Sequence, residues 1–148
     1  MPTGAVIAVK IDNSPLARRY HRGLDEAALV HQELAEGGAS RFLAVYSSPT
    51  PTEVGPVRSL RAGDIELAQQ FGRIAIGASG ANTGVLSLFR EAEQDGLLLD
   101  ANFEHVPEPY RKAERRADAI NFFTSSPAAA PTPSSRTATA CGTSRRPT

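Results

Sequence analysis

Cysteine is nearly missing from this chain of 148 residues, where Cys141 stands alone. A single thiol excludes an intramolecular disulfide and any cysteine metal cluster. It leaves the redox compartment undecided. Lysine is scarce as well: Lys10 and Lys112 are the only two, and the other 14 of the 16 basic residues are arginines. Neither sign of charge is in excess, because 16 acidic residues balance the basic ones. No nucleic-acid partner is expected from that balance, since a dedicated nucleic-acid binder carries a clear basic surplus. The chain does not open on a basic stretch followed by a long apolar one, so it shows no secretory signal peptide. No run approaches the roughly 18 apolar residues of a transmembrane segment. Read literally, this describes a soluble chain that stays where it is made, and a start codon placed too late would read the same.

Large apolar side chains are missing from one more place. The last 22 residues, 127–148, contain no Val, Ile, Leu, Met or aromatic residue. Pro, Ala, Ser, Thr and Arg dominate there. Such a segment cannot bury enough apolar surface to offset its ordering entropy. It reads as a disordered tail or as the product of a frame-shifted, GC-rich gene. The arginine bias has two explanations of its own. The guanidinium fork suits carboxylate and phosphate, and GC-rich codons favour arginine.

The rest of the chain is ordinary for one globular domain, with 41% hydrophobic and 22% charged residues. Ala5 to Ile11 is a β-branched run that stops at the turn signal Asp12-Asn13-Ser14-Pro15. Leu24 to Ala28 contains good helix formers, and Leu29 to Leu34 suits either a helix or a strand. Glu36-Gly37-Gly38 followed by the strand-like Arg41 to Ser47 favours a β-hairpin over helix then strand. Pro49, Pro51, Gly55 and Pro56 mark an extended loop. Leu60, Asp64, Leu67, Ala68 and Phe71 keep helical spacing, with Ser59 as a candidate cap. Arg73 to Ala78 reads as a short buried strand, Thr83 to Gln94 as a second helix ended by Gly96, and Leu97 to Asp100 as another strand. Pro107 to Arg116 reads as a short charged helix or turn, and Asn121 to Ser125 as a last strand. The expected fold is a single small α/β domain: a mixed sheet with a β-hairpin and flanking helices.

Several stretches carry a resemblance. They are Val9-Lys10-Ile11-Asp12-Asn13 with Ala17-Arg18; Gly23-Leu24-Asp25-Glu26-Ala27; Glu33 through Val45; and Val54-Gly55-Pro56-Val57-Arg58-Ser59-Leu60-Arg61 with Asp64 after it. Asn121-Phe122-Phe123-Thr124-Ser125 adds a weaker match. Together they resemble the N-terminal domain of the YerB-like bacterial envelope lipoproteins, over residues 4–126. The resemblance implies a mixed α/β domain followed by a smaller one, in a cell-envelope or extracellular protein usually tethered by a lipid, with no established activity. The chain departs from that pattern at three points. It has no lipoprotein signal or lipid-bearing cysteine, it carries Arg19-Tyr20-His21-Arg22 after Arg18, and it continues as the 127–148 tail after Ser126.

Asp12, Asn13, Arg18, Glu33, Arg41, Arg58, Arg61 and Asp64 recur in the stretches that carry the resemblance, and they are the candidate ligand-binding residues. Arg58 and Arg61 stand three apart at a helix start, where they can share a face beside free N–H groups. That suits phosphate, pyrophosphate or carboxylate. The plainer expectation pairs Arg41, Arg58 and Arg61 with Glu33, Asp12 and Asp64 as buried ion pairs. Ser79-Gly80-Ala81-Asn82-Thr83-Gly84 follows a strand and opens a helix, but lacks the ending of a phosphate-binding P-loop. An ordinary turn is expected there. His31 and Glu33 would face one side of a strand, without the further ligands a metal needs. His21 and His105 have no recognisable partners.

Three readings follow. The first is an envelope binding module that takes an anionic small molecule, or an envelope protein, through the arginine-rich surface. The second is a metal-assisted enzyme acting on a phosphorylated envelope precursor, with Asp12 and Asp64 on a divalent cation and the arginines on phosphate. Its layout is similar to that of the LytR-CpsA-Psr glycopolymer transferases. No other cofactor is identifiable. The third is a non-functional truncated copy.

Overall fold

The computed structural model of the chain describes residues 6–47, 51–102, 110–112 and 121–124. Eight strands and two helices follow in the order β1 (Ile7–Asp12), β2 (Leu29–Leu34), β3 (Ser40–Tyr46), β4 (Glu53–Val57), α1 (Ala62–Gln69), β5 (Ile74–Gly77), α2 (Thr83–Gln94), β6 (Leu98–Asp100), β7 (Tyr110–Lys112) and β8 (Asn121–Thr124). They build one mixed sheet in the order β2-β3-β1-β4-β8-β7, with β5 joined to β1 and β6 to β5. The domain is thus the expected α/β unit with flanking helices.

β1 organises the sheet. Along one edge its whole length pairs antiparallel with β3, from Ile7 opposite Tyr46 to Asp12 opposite Arg41. β5 runs parallel to its first half, with Ala8 opposite Ile76, and β4 meets it at Ile11 opposite Val57. β5, α2 and β6 form a parallel crossover, in which the helix returns the chain to a strand of the same direction. The predicted hairpin is present, with β2 antiparallel to β3 across the Glu36-Gly37-Gly38 turn.

The period-2 alternation of β1 sorts its side chains onto two faces. Ala8 joins Leu43, Val45, Leu60, Ile65, Ala68, Ile74, Ile76, Val85, Phe89 and Leu98 in a core under both helices. Val9 and Ile11 join Ala44, Tyr46, Val54 and Val57 on the other face, flanked by Leu24 and Ala27. Helix α2 buries Val85, Phe89 and Ala92, spaced as one helical stripe. The Asn82 side chain accepts the Val85 N–H at 3.0 Å and caps it, a contribution of about 1 kcal/mol. Gly23 (φ +67°) is needed as glycine, because a Cβ there would stand 2.5 Å from the Glu53 carbonyl oxygen. Its neighbour Arg22 forms a bridge with Gly55.

Four expectations are corrected, the first being the extended loop: Gly55 and Pro56 lie inside strand β4. Helix α1 begins at Ala62 with Arg61 as its N-cap. Leu60 lies before it, fully buried, and gives its N–H to the Gly80 carbonyl. Ser59 therefore does not cap the helix, and its hydroxyl donates to the Ser79 carbonyl at 3.3 Å instead. The segment Leu24–Glu26 is one short 3-10 turn. Within the stretch read as a charged helix or turn, Tyr110–Lys112 is a strand, antiparallel to β8. Its charged residues hid it, because strand pairing at an edge tolerates polar side chains. Residues 127–148, Cys141 and His105 lie outside the described residues.

Candidate functional site

The site grows from the far end of β1, where Lys10 and Asp12 point to the helix face and the cross-strand rows meet them. Lys10 stands opposite Leu43, which stands opposite His31, and Asp12 stands opposite Arg41, which stands opposite Glu33. Directly opposed residues of antiparallel strands share a face. Helix α1 adds Asp64 above them and Arg61 at its start.

Lys10 is the residue that sequence reasoning passed over. It is fully buried, and its Nζ donates to Asp64 Oδ1 and to Glu33 Oε2, each at 2.5 Å. Asp64 is fully buried too, and its other oxygen accepts the Arg61 backbone N–H at 2.7 Å. This ties the start of α1 to β1. One ammonium thus faces two carboxylates, Asp64 out of water and Glu33 partly exposed. Burial is the strongest influence on Asp64 and pushes its carboxyl up to about 6, with Lys10 and the Arg61 N–H opposing and the Glu33 charge adding. A signal was available: Lys10 interrupts a β-branched run, in a chain that uses arginine nearly everywhere else.

The arginines lie around this cluster. Arg58 is outside the helix, half exposed, and its Nε reaches Asp12 Oδ2 at 3.1 Å. Arg61 Nη2 donates to Glu36 Oε2 at 2.6 Å. Arg41 Nη1 donates to the Ser59 carbonyl at 3.3 Å and has no carboxylate at ion-pair distance among the described residues. Its pKa is lowered, by burial first and then by the charges of Arg61 and Arg58. Three guanidiniums therefore crowd one rim, and two of them have acidic partners, Asp12 and Glu36. Glu36 is held below the usual carboxylate range, by a backbone hydrogen bond first and then by Arg61.

Of the three ion pairs expected from sequence, one forms as written, Arg58 with Asp12, and it is not buried. Glu33 and Asp64 go to Lys10 instead. Arg58 and Arg61 do not share a helix face, since only Arg61 belongs to the start of α1. Asn13 and Arg18 serve the turn after β1. Asn13 is buried and donates to Ser40 Oγ at 2.7 Å, while Arg18 Nε donates to the Asn13 carbonyl at 3.3 Å. Asp12 Oδ1 accepts the Ser14 N–H at 2.9 Å, an Asx turn. His21 Nε2 lies 2.8 Å from the Asp12 carbonyl, which only accepts, so this nitrogen carries the proton. In the Ser79–Gly84 turn, the Ser79 N–H goes to the Arg58 carbonyl at 3.0 Å and the Gly80 N–H to Asn102 Oδ1 at 2.9 Å. Asp12 and Asp64 each hold a side-chain cation of their own. Among the described residues no group of three or more His, Cys, Asp or Glu could hold a metal ion, and no helix is long and apolar enough to cross a membrane.

Residues 2–139 match the family described as "Protein of unknown function (DUF3048) N-terminal domain". YerB of Bacillus subtilis (strain 168), named as a candidate lipoprotein, is 43% identical over 70 residues, which is 47% of this chain and 21% of that protein. The crystal structure of YerB from Bacillus subtilis superposes with a TM-score of 0.68 at 27% identity, covering 82% of this chain and 40% of that one. The chain therefore spans less than half the length of the relatives it matches.

Proposed function

The chain belongs to the DUF3048 family through its N-terminal domain, and from that premise we propose that it is an envelope-associated binding module whose arginine rim takes an anionic ligand. The envelope assignment is carried over from the lipoprotein name of its relative. The anionic ligand rests on one observation: Arg41 is partly buried near Arg58 and Arg61, and no carboxylate among the described residues lies at ion-pair distance from it. A guanidinium held against like charge gains most from an anion brought to it. Phosphate, pyrophosphate and a carboxylate share the geometry that its forked donors accept.

The test is thermal unfolding of the full chain with and without pyrophosphate, at matched ionic strength. A ligand that binds only the folded state stabilises it by about 2.7 kcal/mol at a hundred times its Kd. The expected result is a rise in Tm for the wild type that disappears in a folded Arg41→Ala variant. No rise in the wild type, or the same rise in Arg41→Ala, overturns the reading.

A further inference from the structure

Strand β2 ends the sheet, and no described strand pairs with its outer edge. Natural sheets guard such edges with lysine and other charged side chains, inward-pointing ones included, or with proline and bulges. The sequence of β2, Leu-Val-His-Gln-Glu-Leu, has neither lysine nor proline. Its one full charge, Glu33, is compensated by the Lys10 ammonium. Its large apolar side chains remain in solvent: Leu29 and Val30 are exposed, and Leu34 is 89% exposed. Half of the six large hydrophobic residues exposed among the described ones thus lie on this one strand.

We propose that a second copy of this chain pairs with the open edge of β2, antiparallel and about a two-fold axis through Gln32. Such an axis stands perpendicular to the sheet and keeps both helix layers on the same side. Opposed residues must then share a face, so their numbers have equal parity. Centring the pair on Gln32 sets Val30 opposite Leu34 twice on the outer face, where the exposed apolar groups cover one another. On the helix face it sets His31 opposite Glu33 twice, an imidazole beside a carboxylate. Centring on Glu33 would set two carboxylates face to face, which is destabilising. Centring on His31 would set Val30 against Gln32 and Leu34 against Ala28. The strand is self-complementary in one register, and that identifies a second copy as the occupant.

Sedimentation velocity of the full chain over a range of concentrations tests the association. The wild type is expected to dimerise as concentration rises. Leu34→Glu, which alters a side chain that is 89% exposed, is expected to stay monomeric with an unchanged Tm. The register is tested by oxidation in a Cys141→Ser background. Gln32→Cys is expected to cross-link to itself. Val30→Cys is not, because the two copies of residue 30 stand four residues apart along the strands, about 14 Å. A wild type that is monomeric up to its solubility limit overturns the proposal, and would leave the edge for the remainder of a longer chain. So does a dimer that Leu34→Glu leaves intact, or cross-linking as efficient at residue 30 as at residue 32.

Discussion

Two clusters of charge lie side by side at the end of β1, and they are out of balance in opposite directions. In the interior, one lysine ammonium serves two carboxylates, Asp64 and Glu33. On the rim, three guanidiniums share two carboxylates, Asp12 and Glu36. The residue types follow the setting. A lysine presents a compact point charge on a long apolar stem, which can be threaded into a core. Arginine keeps its planar fork turned outward, where its donors can meet a ligand. The surplus has different consequences as well. A surplus of carboxylate inside the protein is relieved by a proton. A surplus of cation at the surface is relieved by an anion. The same kind of network therefore ties α1 to the sheet in one place and, under the proposed function, offers a binding surface in the other.

The sharpest way to break this contrast is at the interior. Removing one partner of a buried ion pair leaves its counter-charges uncompensated, at a cost of about 3–5 kcal/mol. Lys10→Met is expected to lose that much in urea denaturation. The double variant Lys10→Met, Asp64→Leu should recover part of it, since well-packed apolar replacements for a buried pair are often neutral. If the single variant unfolds at the wild-type urea concentration, the interior cluster does not hold α1 in place.

The next test uses pH. The Asp64 carboxyl titrates near 3.8 in the unfolded chain and about 6 in the folded one. Between those values the folded state keeps a proton that the unfolded state has released. Stability contributed at this site is therefore fully present below 3.8, falls as the pH rises through the window, and is lost above about 6. Asp64→Asn is expected to flatten that part of the profile. A profile of equal slope in both proteins removes Asp64 from its cause.

The smallest effect belongs to the rim. Glu36 is exposed and occupies one Arg61 donor. Glu36→Gln is expected to leave the Tm essentially unchanged, because exposed pairs contribute little. It should tighten pyrophosphate binding a few-fold in isothermal titration and steepen its salt dependence. Weaker binding would mean that Glu36 orients Arg61 rather than competing for it.

Most of the fold was legible because its signals are local. The Gly37-Gly38 turn set the hairpin, and Thr83 to Gln94 carries its own cap and stripe, so the expected and observed helix coincide. What escaped depends on residues far apart. Lys10 reads as an interruption of β1 until Asp64, 54 residues on, is brought over it. The arginines were recognised as a group from the sequence, but their partners were not. Glu36 sits in a turn, and Arg61 points its side chain there while its backbone serves Asp64. Spacing in sequence told which residues lie near the start of α1, and burial decided which of them pair.

β1 lies at the junction of three ladders, and that has a consequence for how the chain is made. It is synthesised before any of its partners. β3 is complete only at Tyr46 and β5 only at Gly77. At about 5–20 residues per second, the strand waits for seconds with both edges open. The two carboxylates that meet Lys10 come later as well, Glu33 within the hairpin and Asp64 only with α1.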